Sequence, residues 1–366
     1  MEPIHRRRDF LQRASALLLS GTLLGGCAAR RPAPGPAAPA AGGTPPAPAA
    51  PSAAQPVPAL RAGARIAIVA PASAITGAAD EAAEWLLERG YEPQVMPAAR
   101  MRLGPPFDYL AGDDAARLAD LHAAFADPAV GAVWCLQGGF GSWRVLDQID
   151  YGLLRRHAKP FIGYSDVTAL HLAIQRYAGF VTFHGPMLAQ DLLAGRQAPT
   201  EQALLDMVSG RLGAGSWIVA PPQARLATLA SGVATGRLIG GNLALLAALT
   251  GTRYAIDARD GILFFEDVNE ALPRVDRMLA QLRRAGAFDG VRGVLVGSFT
   301  RLLGVPGDGE AALYPLVREH FQARGIPVLA GWPSGHGDPN LTLPLGARVT
   351  LDAGRGALRL EQPVAV

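Results

Sequence analysis

Residues 161–173 read F-I-G-Y-S-D-V-T-A-L-H-L-A. Two apolar residues, Phe161 and Ile162, run into Gly163, and Tyr164 leads to Ser165 and Asp166. Apolar positions then return at Val167, Leu170 and Ile174 with helical spacing. The stretch predicts a strand, a tight turn and a helix, with a serine on the turn. Such a turn lifts a hydroxyl out of the backbone and aims it along the helix start, where unpaired N–H groups stabilise an anion. Ser165 is therefore a candidate nucleophile. The competing assignment is a serine that only caps the helix it precedes. Of the G-x-S-x-G pattern the first three positions are present, and Val167 stands where the second glycine would be.

Working outward, strands and helices alternate. Ala64–Ala70 (A-R-I-A-I-V-A) predicts a first strand, and a helix from about Ala78 ends near Gly90. Asp113 opens a helix that runs to Ala126, with Leu118, Leu121 and Phe125 as its apolar stripe. Ala132–Leu136 is a buried strand emptying into Gly138-Gly139-Phe140-Gly141, and a helix is expected from about Trp143. This alternation implies an α/β fold: a mainly parallel sheet flanked by helices, bearing the nucleophile turn, in an N-terminal domain over 62–190. In such sheets the active crevice lies beyond the carboxyl ends of the strands. Both the glycine turn and the Ser165 turn leave strands at that edge. Residues 191–230 are expected to connect to a second, C-terminal α/β domain over 231–366. There Gly240-Gly241-Asn242 opens a helix, Gly261–Phe265 is a strand, Pro273 starts a helix, and Arg348–Leu360 forms two short strands.

A serine hydroxyl attacks only when a base removes its proton and a further group holds that base in the right tautomer. Glu266 follows an apolar strand and is expected at the rim of the sheet, with Asp267 and Glu270 as competitors. His336 lies between Gly335 and Gly337, which suits a side chain delivered to a cleft and equally a turn histidine facing water. Nothing proposes a metal site, since the seven histidines are scattered and neither C-x-x-C nor H-E-x-x-H occurs.

The first 61 residues have a different composition. Arg6, Arg7 and Arg8 precede an apolar stretch of thirteen residues, Ala14 to Gly26, which ends at Cys27. Spanning a bilayer takes roughly 20 residues, so residues 1–27 are expected to be a twin-arginine export signal with lipidation at Cys27. Residues 28–61, rich in alanine and holding ten of the thirty prolines, are expected to form a disordered tether. These features imply a bacterial periplasmic address. The resemblance of Leu24-Gly25-Gly26-Cys27 to a lipobox, with Ala28 where a retention signal would favour aspartate, implies anchoring to the outer membrane by lipid, the alternative being a cleaved signal without lipid. With Cys27 lipidated, Cys135 in G-A-V-W-C-L is left alone as a buried, inert thiol. Residues 1–62 hold seven of the 34 basic side chains and two of the 31 acidic ones, so the body carries 27 against 29. No basic stripe argues for nucleic acid.

The set Y-L-A-G-D-D (109–114), G-G-F-G-S (138–142), G-Y-S-D-V-T-A-L (163–170), F-H-G-P (183–186), G-G-N-L (240–243), F-F-E-D-V (264–268), V-D-R-M-L (275–279) and S-G-H-G (334–337) resembles the L,D-carboxypeptidase family. That family includes muramoyltetrapeptide carboxypeptidases and microcin C immunity hydrolases. The resemblance implies a Ser-His-Glu triad of Ser165, His336 and Glu266, with the N–H groups of Asp166 and Gly139 as an oxyanion hole. It also implies removal of the terminal D-alanine from murein tetrapeptides or muropeptides, no cofactor, and a homodimer. Alternatives are a microcin C immunity-like amidase and a catalytically inactive murein-binding lipoprotein. The family's glycine loop usually has arginine before it and tyrosine within it, whereas Gln137 and Phe140 stand here.

Overall fold

The computed structural model describes residues 53–305 and 309–366; the export signal, Cys27 and most of the tether lie outside them. The first half supplies strands β1 (Arg65–Val69), β2 (Glu92–Val95), β3 (Val130–Cys135), β4 (Phe161–Gly163) and β5 (Thr182–His184). Its helices are α1 (Ala78–Glu88), α2 (Asp114–Ala126), α3 (Tyr151–Arg156) and α4 (Thr168–Tyr177). Helix α5 (Thr200–Val208) follows, then β6 (Trp217–Val219), β7 (Ala227–Ala230) and β8 (Val233–Asn242). Next come α6 (Leu243–Ala248), β9 (Gly261–Val268), α7 (Leu272–Arg284), β10 (Gly293–Thr300) and α8 (Tyr314–Phe321). The chain closes with β11 (Val328–Ala330), β12 (Leu343–Leu345), β13 (Arg348–Asp352) and β14 (Ala357–Leu360).

These strands form two sheets, so the protein has two α/β domains, as expected. The first has the order β12-β5-β4-β3-β1-β2, parallel except for β12. The second has the order β6-β14-β13-β8-β9-β10-β11-β7, with β8 to β11 parallel and antiparallel strands on either side. Central strands such as β4 and β9 are apolar almost throughout because helices and loops cover both faces. Local signals set the helices. The Asp113 side chain accepts the Ala116 N–H at the start of α2. In α7, Pro273 sits in the first turn and Val275, Leu279 and Leu282 are buried.

The structure departs from the sequence-based expectations in four places. The tether does not reach residue 61 as a free segment: Ala54, Val57 and Leu60 are buried, and backbone bonds tie Ala54 to Gly346, Val57 to Val364 and Ala59 to Val366. Every third residue of a proline-containing extended segment packs on the body while its N–H groups find distant carbonyls. Residues 191–230 are more than a connection, since β6 and β7 flank the second sheet. Residues 231–366 do not all stay in the second domain. β12 returns to the first sheet, pairing Leu343 with His184 and Leu345 with Thr182; Pro344 is tolerated because β12 is an edge strand. Finally, Trp143 lies in a 3-10 run, Ser142–Gln148, and the true helix α3 starts after Asp150, whose carboxylate accepts the Leu153 N–H.

Candidate active site

Strand β4 ends at Gly163, and two residues later Ser165 takes φ 61°. That is the left-handed region, which a residue with a Cβ occupies at a cost of roughly 1–3 kcal/mol. The chain then turns through a 3-10 segment, Ser165–Val167, into α4. The serine makes no capping bond, so it is not the helix cap that the sequence alone allowed. Glycines permit this turn. A Cβ on Gly163 would press on Val167 and Cys135, at 3.0 and 3.1 Å, and one on Gly138 would lie 2.9 Å from the Ser165 Cβ. Gly139 has φ 102°, and a Cβ there would collide with the Ser73 hydroxyl. Among the described residues, neither the Asp166 N–H nor the Gly139 N–H finds an acceptor. The Asp166 carboxylate is buried and accepts the Ser142 N–H at 2.8 Å, while the Ser142 hydroxyl donates to the Asp166 carbonyl at 2.5 Å. These two bonds fix the residue that follows Ser165.

Opposite Ser165 is a loop from the second domain. His336 Nε2 lies 3.2 Å from the Ser165 Oγ, and His336 Nδ1 lies 2.6 Å from Glu266 Oε2. The same carboxylate oxygen also accepts the His336 backbone N–H at 3.2 Å. A proton on Nδ1, facing the carboxylate, leaves the Nε2 lone pair directed at the serine. Gly335, at φ 103°, lets the loop lie on Glu266, since any Cβ there would overlap the carboxylate. Asn340 accepts the Gly335 N–H at 2.9 Å, and the Ser334 hydroxyl donates to the Leu341 carbonyl at 2.8 Å. His336 is nearly enclosed, with 8% of its side chain exposed. Burial pulls its pKa down, but the Glu266 charge and hydrogen bond outweigh burial and hold it above the ordinary 6.5.

Of the three candidate carboxylates, Glu266 is the one bonded to His336. It lies within β9 and is wholly buried, rather than at a solvent-facing rim. Asp267 points its alternate way along the strand, accepting N–H groups from Ala244 and Val268 and the Asn242 amide. Burial first, and the Glu266 charge second, push its carboxyl up to about 7. Glu270 pairs with Arg274 at 3.0 Å. Cys135 is a free, buried thiol whose pKa is raised by burial.

Several residues around the site make contacts with it that carry no sequence signal. Asn242 caps α6 and touches both Glu266, at 3.4 Å, and Asp267, while its N–H donates to Thr168 on α4. Its place at the helix start was legible in the sequence, whereas its contacts with the two carboxylates were not. Tyr164 is buried with its ring 4.9 Å from that of His336. Its hydroxyl donates to Asp191, which also accepts from Met187 and Arg196. His184 is buried against Tyr164 and Phe264, with no partner for either ring nitrogen among the described residues.

A carboxylate-backed imidazole facing a serine on a left-handed turn is the constellation of serine hydrolases, whichever fold carries it. Residues 66–185 match the LD-carboxypeptidase N-terminal domain and residues 235–351 match the LD-carboxypeptidase C-terminal domain. The chain belongs to the LD-carboxypeptidase family of serine peptidases. It is 36% identical over 307 residues to a probable murein peptide carboxypeptidase of Bacillus subtilis, covering 84% of this chain and 94% of the relative. It is 37% identical over 299 residues to the murein tetrapeptide carboxypeptidase of Pseudomonas aeruginosa, with coverage of 80% and 94%. A solved muramoyltetrapeptide carboxypeptidase from Oxalobacter formigenes superposes with a TM-score of 0.67 at 29% identity, covering 81% and 97% of the two chains. The fold is shared with the microcin C7 self immunity protein MccF, solved in complex with aspartyl sulfamoyl adenosine, at a TM-score of 0.76 and 24% identity, covering 85% and 100%.

Proposed function

We propose that the protein is a serine L,D-carboxypeptidase that removes the terminal D-alanine from peptidoglycan tetrapeptide stems in the cell envelope. The observation that carries the reading is the continuous hydrogen-bonded chain from Ser165 through His336 to Glu266. In this reading His336 Nε2 takes the Ser165 proton as the hydroxyl oxygen attacks the carbonyl carbon of the penultimate residue. Glu266 holds the imidazole by Nδ1 and stabilises the imidazolium that forms. The N–H groups of Asp166 and Gly139 receive the oxyanion. When the tetrahedral adduct collapses, the C–N bond breaks, His336 protonates the departing amine, and D-alanine leaves an acyl-enzyme on Ser165. Water, deprotonated by His336, then adds to the ester and releases the tripeptide.

The cell-envelope address rests on Arg6, Arg7, Arg8 and the Ala14–Gly26 stretch for export, and on Cys27 for lipid attachment. Names of relatives support a murein peptide as substrate. The test is to incubate the purified protein with disaccharide tetrapeptide and follow tripeptide and free D-alanine by mass spectrometry. The expected result is stoichiometric release, abolished in Ser165→Ala. Cleavage of an acyl-sulfamoyl nucleotide with no action on tetrapeptide would replace this reading with the microcin-immunity one.

A further inference from the structure

A carboxypeptidase works at the end of a chain, so its site must hold a carboxylate beside the scissile bond. His336 protonates the departing amine in the mechanism above, and in a terminal residue the carboxylate carbon is two bonds from that nitrogen. The cation that receives it therefore belongs on the His336 side of Ser165. Arg196 stands there. Its Nε donates to Asp191 Oδ1 at 2.9 Å, and that same oxygen accepts the Tyr164 hydroxyl at 3.1 Å. Asp191 is wholly buried and its other oxygen accepts the Met187 N–H at 2.8 Å, so the anchor is fixed. Tyr164 precedes the nucleophile, and its ring packs edge-on against His336. Burial holds the Tyr164 hydroxyl pKa well above 10, so it remains a donor to Asp191. On the other flank, the N–H of Gln197 donates at 2.8 Å to Asp338, two residues beyond His336.

The segment that carries Arg196 is thus tied to the residue before Ser165 through Asp191, and to the loop of His336 through Gln197. The Arg196 side chain is 20% exposed. Among the described residues only its Nε is engaged, which leaves both terminal nitrogens as a rigid fork of the shape that grips a carboxylate. Other guanidinium groups near the nucleophile turn are committed. Arg117 is enclosed, with Nη1 on the Pro71 and Gly141 carbonyls and Nη2 on Asp114. Arg144 is held by both oxygens of Asp114. Arg225 and Arg301 line a cavity of about 390 Å3 with Gly337 and Asp338; Arg225 is engaged by a partner of its own, which leaves Arg301 as the rival.

Resting on the carboxypeptidase reading, we propose that Arg196 binds the α-carboxylate of the terminal D-residue, with Asp191 and Tyr164 as positioning residues that aim its fork. The test compares two substrates, a murein tetrapeptide and the same peptide ending in D-alaninamide, on the full-length protein and on Arg196→Gln, Arg196→Lys and Arg301→Gln. Wild type should prefer the free acid. Arg196→Gln should lower kcat/KM for the acid by about 10- to 100-fold, chiefly through KM, the loss expected for one charge-assisted pair. The carboxamide should change by less than about threefold, so that the preference collapses, and Arg196→Lys should restore part of it. An equal loss on both substrates would assign Arg196 a merely structural role and overturn the proposal. Collapse of the preference in Arg301→Gln, with Arg196→Gln unaffected, would overturn it in favour of the neighbouring cavity. Failure of wild type to release D-alanine from the tetrapeptide would instead remove the carboxypeptidase reading itself, and this inference with it.

Discussion

Ser165 and His336 meet at one hydrogen bond but are held in place by different means. Around Ser165 the backbone does the holding: a left-handed residue, a glycine at each point of closest approach, and a peptide pinned by Ser142. Around His336 side chains do it: a wholly buried carboxylate, an asparagine reaching that carboxylate, and a second acid whose pKa burial has raised. The first region is sensitive to added atoms. The second is sensitive to charge. In the proposed mechanism, nucleophile placement is thereby a steric property of one domain, and base strength an electrostatic property of the other.

The strongest way to break this contrast is Glu266→Gln. The imidazole loses the partner that selects its tautomer, and kcat should fall by about 1,000- to 10,000-fold. The pH profile should move as well. His336 must be neutral to act, so activity rises as pH passes through its pKa, which Glu266 holds above 6.5. Without that charge burial dominates, and the acid limb of kcat/KM should shift to lower pH. A profile that stays in place would separate Glu266 from the base.

Gly138→Ala probes the steric side. The new Cβ would lie 2.9 Å from that of Ser165 and displace it by a few tenths of an ångström. A loss of about 100-fold in kcat is expected, from misplacement alone, with the pH profile unchanged. A shifted profile would show that the two sides are not separable.

Two histidines sharpen the electrostatic side through stability. Burial lowers the pKa of His171 to about 4 and that of His184 well below 6.5. Between the lowered values and 6.5 the unfolded chain binds more protons than the folded one, so stability is full above 6.5 and falls as pH drops towards 4. His336 works in the opposite sense, its contribution being present below 6.5 and lost as pH rises through its raised pKa. His336 and the raised Asp267 carboxyl oppose this trend between pH 7 and 5, so the test is the difference: the change in urea midpoint from pH 7 to 5 should be less unfavourable in His184→Phe than in wild type. Parallel slopes in the two proteins would rule out His184 as a source.

The smallest expected effect concerns the turn. Ser165→Gly and Ser165→Ala both remove the hydroxyl, but only glycine relieves φ 61°. The glycine variant should be more stable than the alanine variant by about 1 kcal/mol in urea unfolding. Equal stabilities would mean that the turn stores no strain.

Much of this was legible in the sequence wherever a signal was local. Asp113 capping α2, the stripe of α7 and the strand–turn–helix around Ser165 all depend on bonds within a few residues, which side-chain type and spacing reveal. Competing carboxylates at 266, 267 and 270 were not separable from the residues themselves, because successive strand positions face opposite ways and only a partner decides which face matters. The family resemblance chose Glu266, and the structure supplies the bond. The fold of residues 54–60 onto the body and the return of β12 to the first sheet were not legible, since their hydrogen-bond partners lie far along the chain.

The sequence by itself determined most of the helices and central strands, that a serine would sit on a turn entered through a glycine, and which segments have the composition of an export signal. Tertiary structure alone decided that Ser165 faces His336 across 171 positions, that His336 faces Glu266 across 70, and that Arg196 is anchored beside them by Asp191. The physical reason is range: propensity, capping and turn geometry act within a few residues of backbone, whereas a proton relay needs side chains from two sheets brought within about 3 Å, and only packing sets that distance.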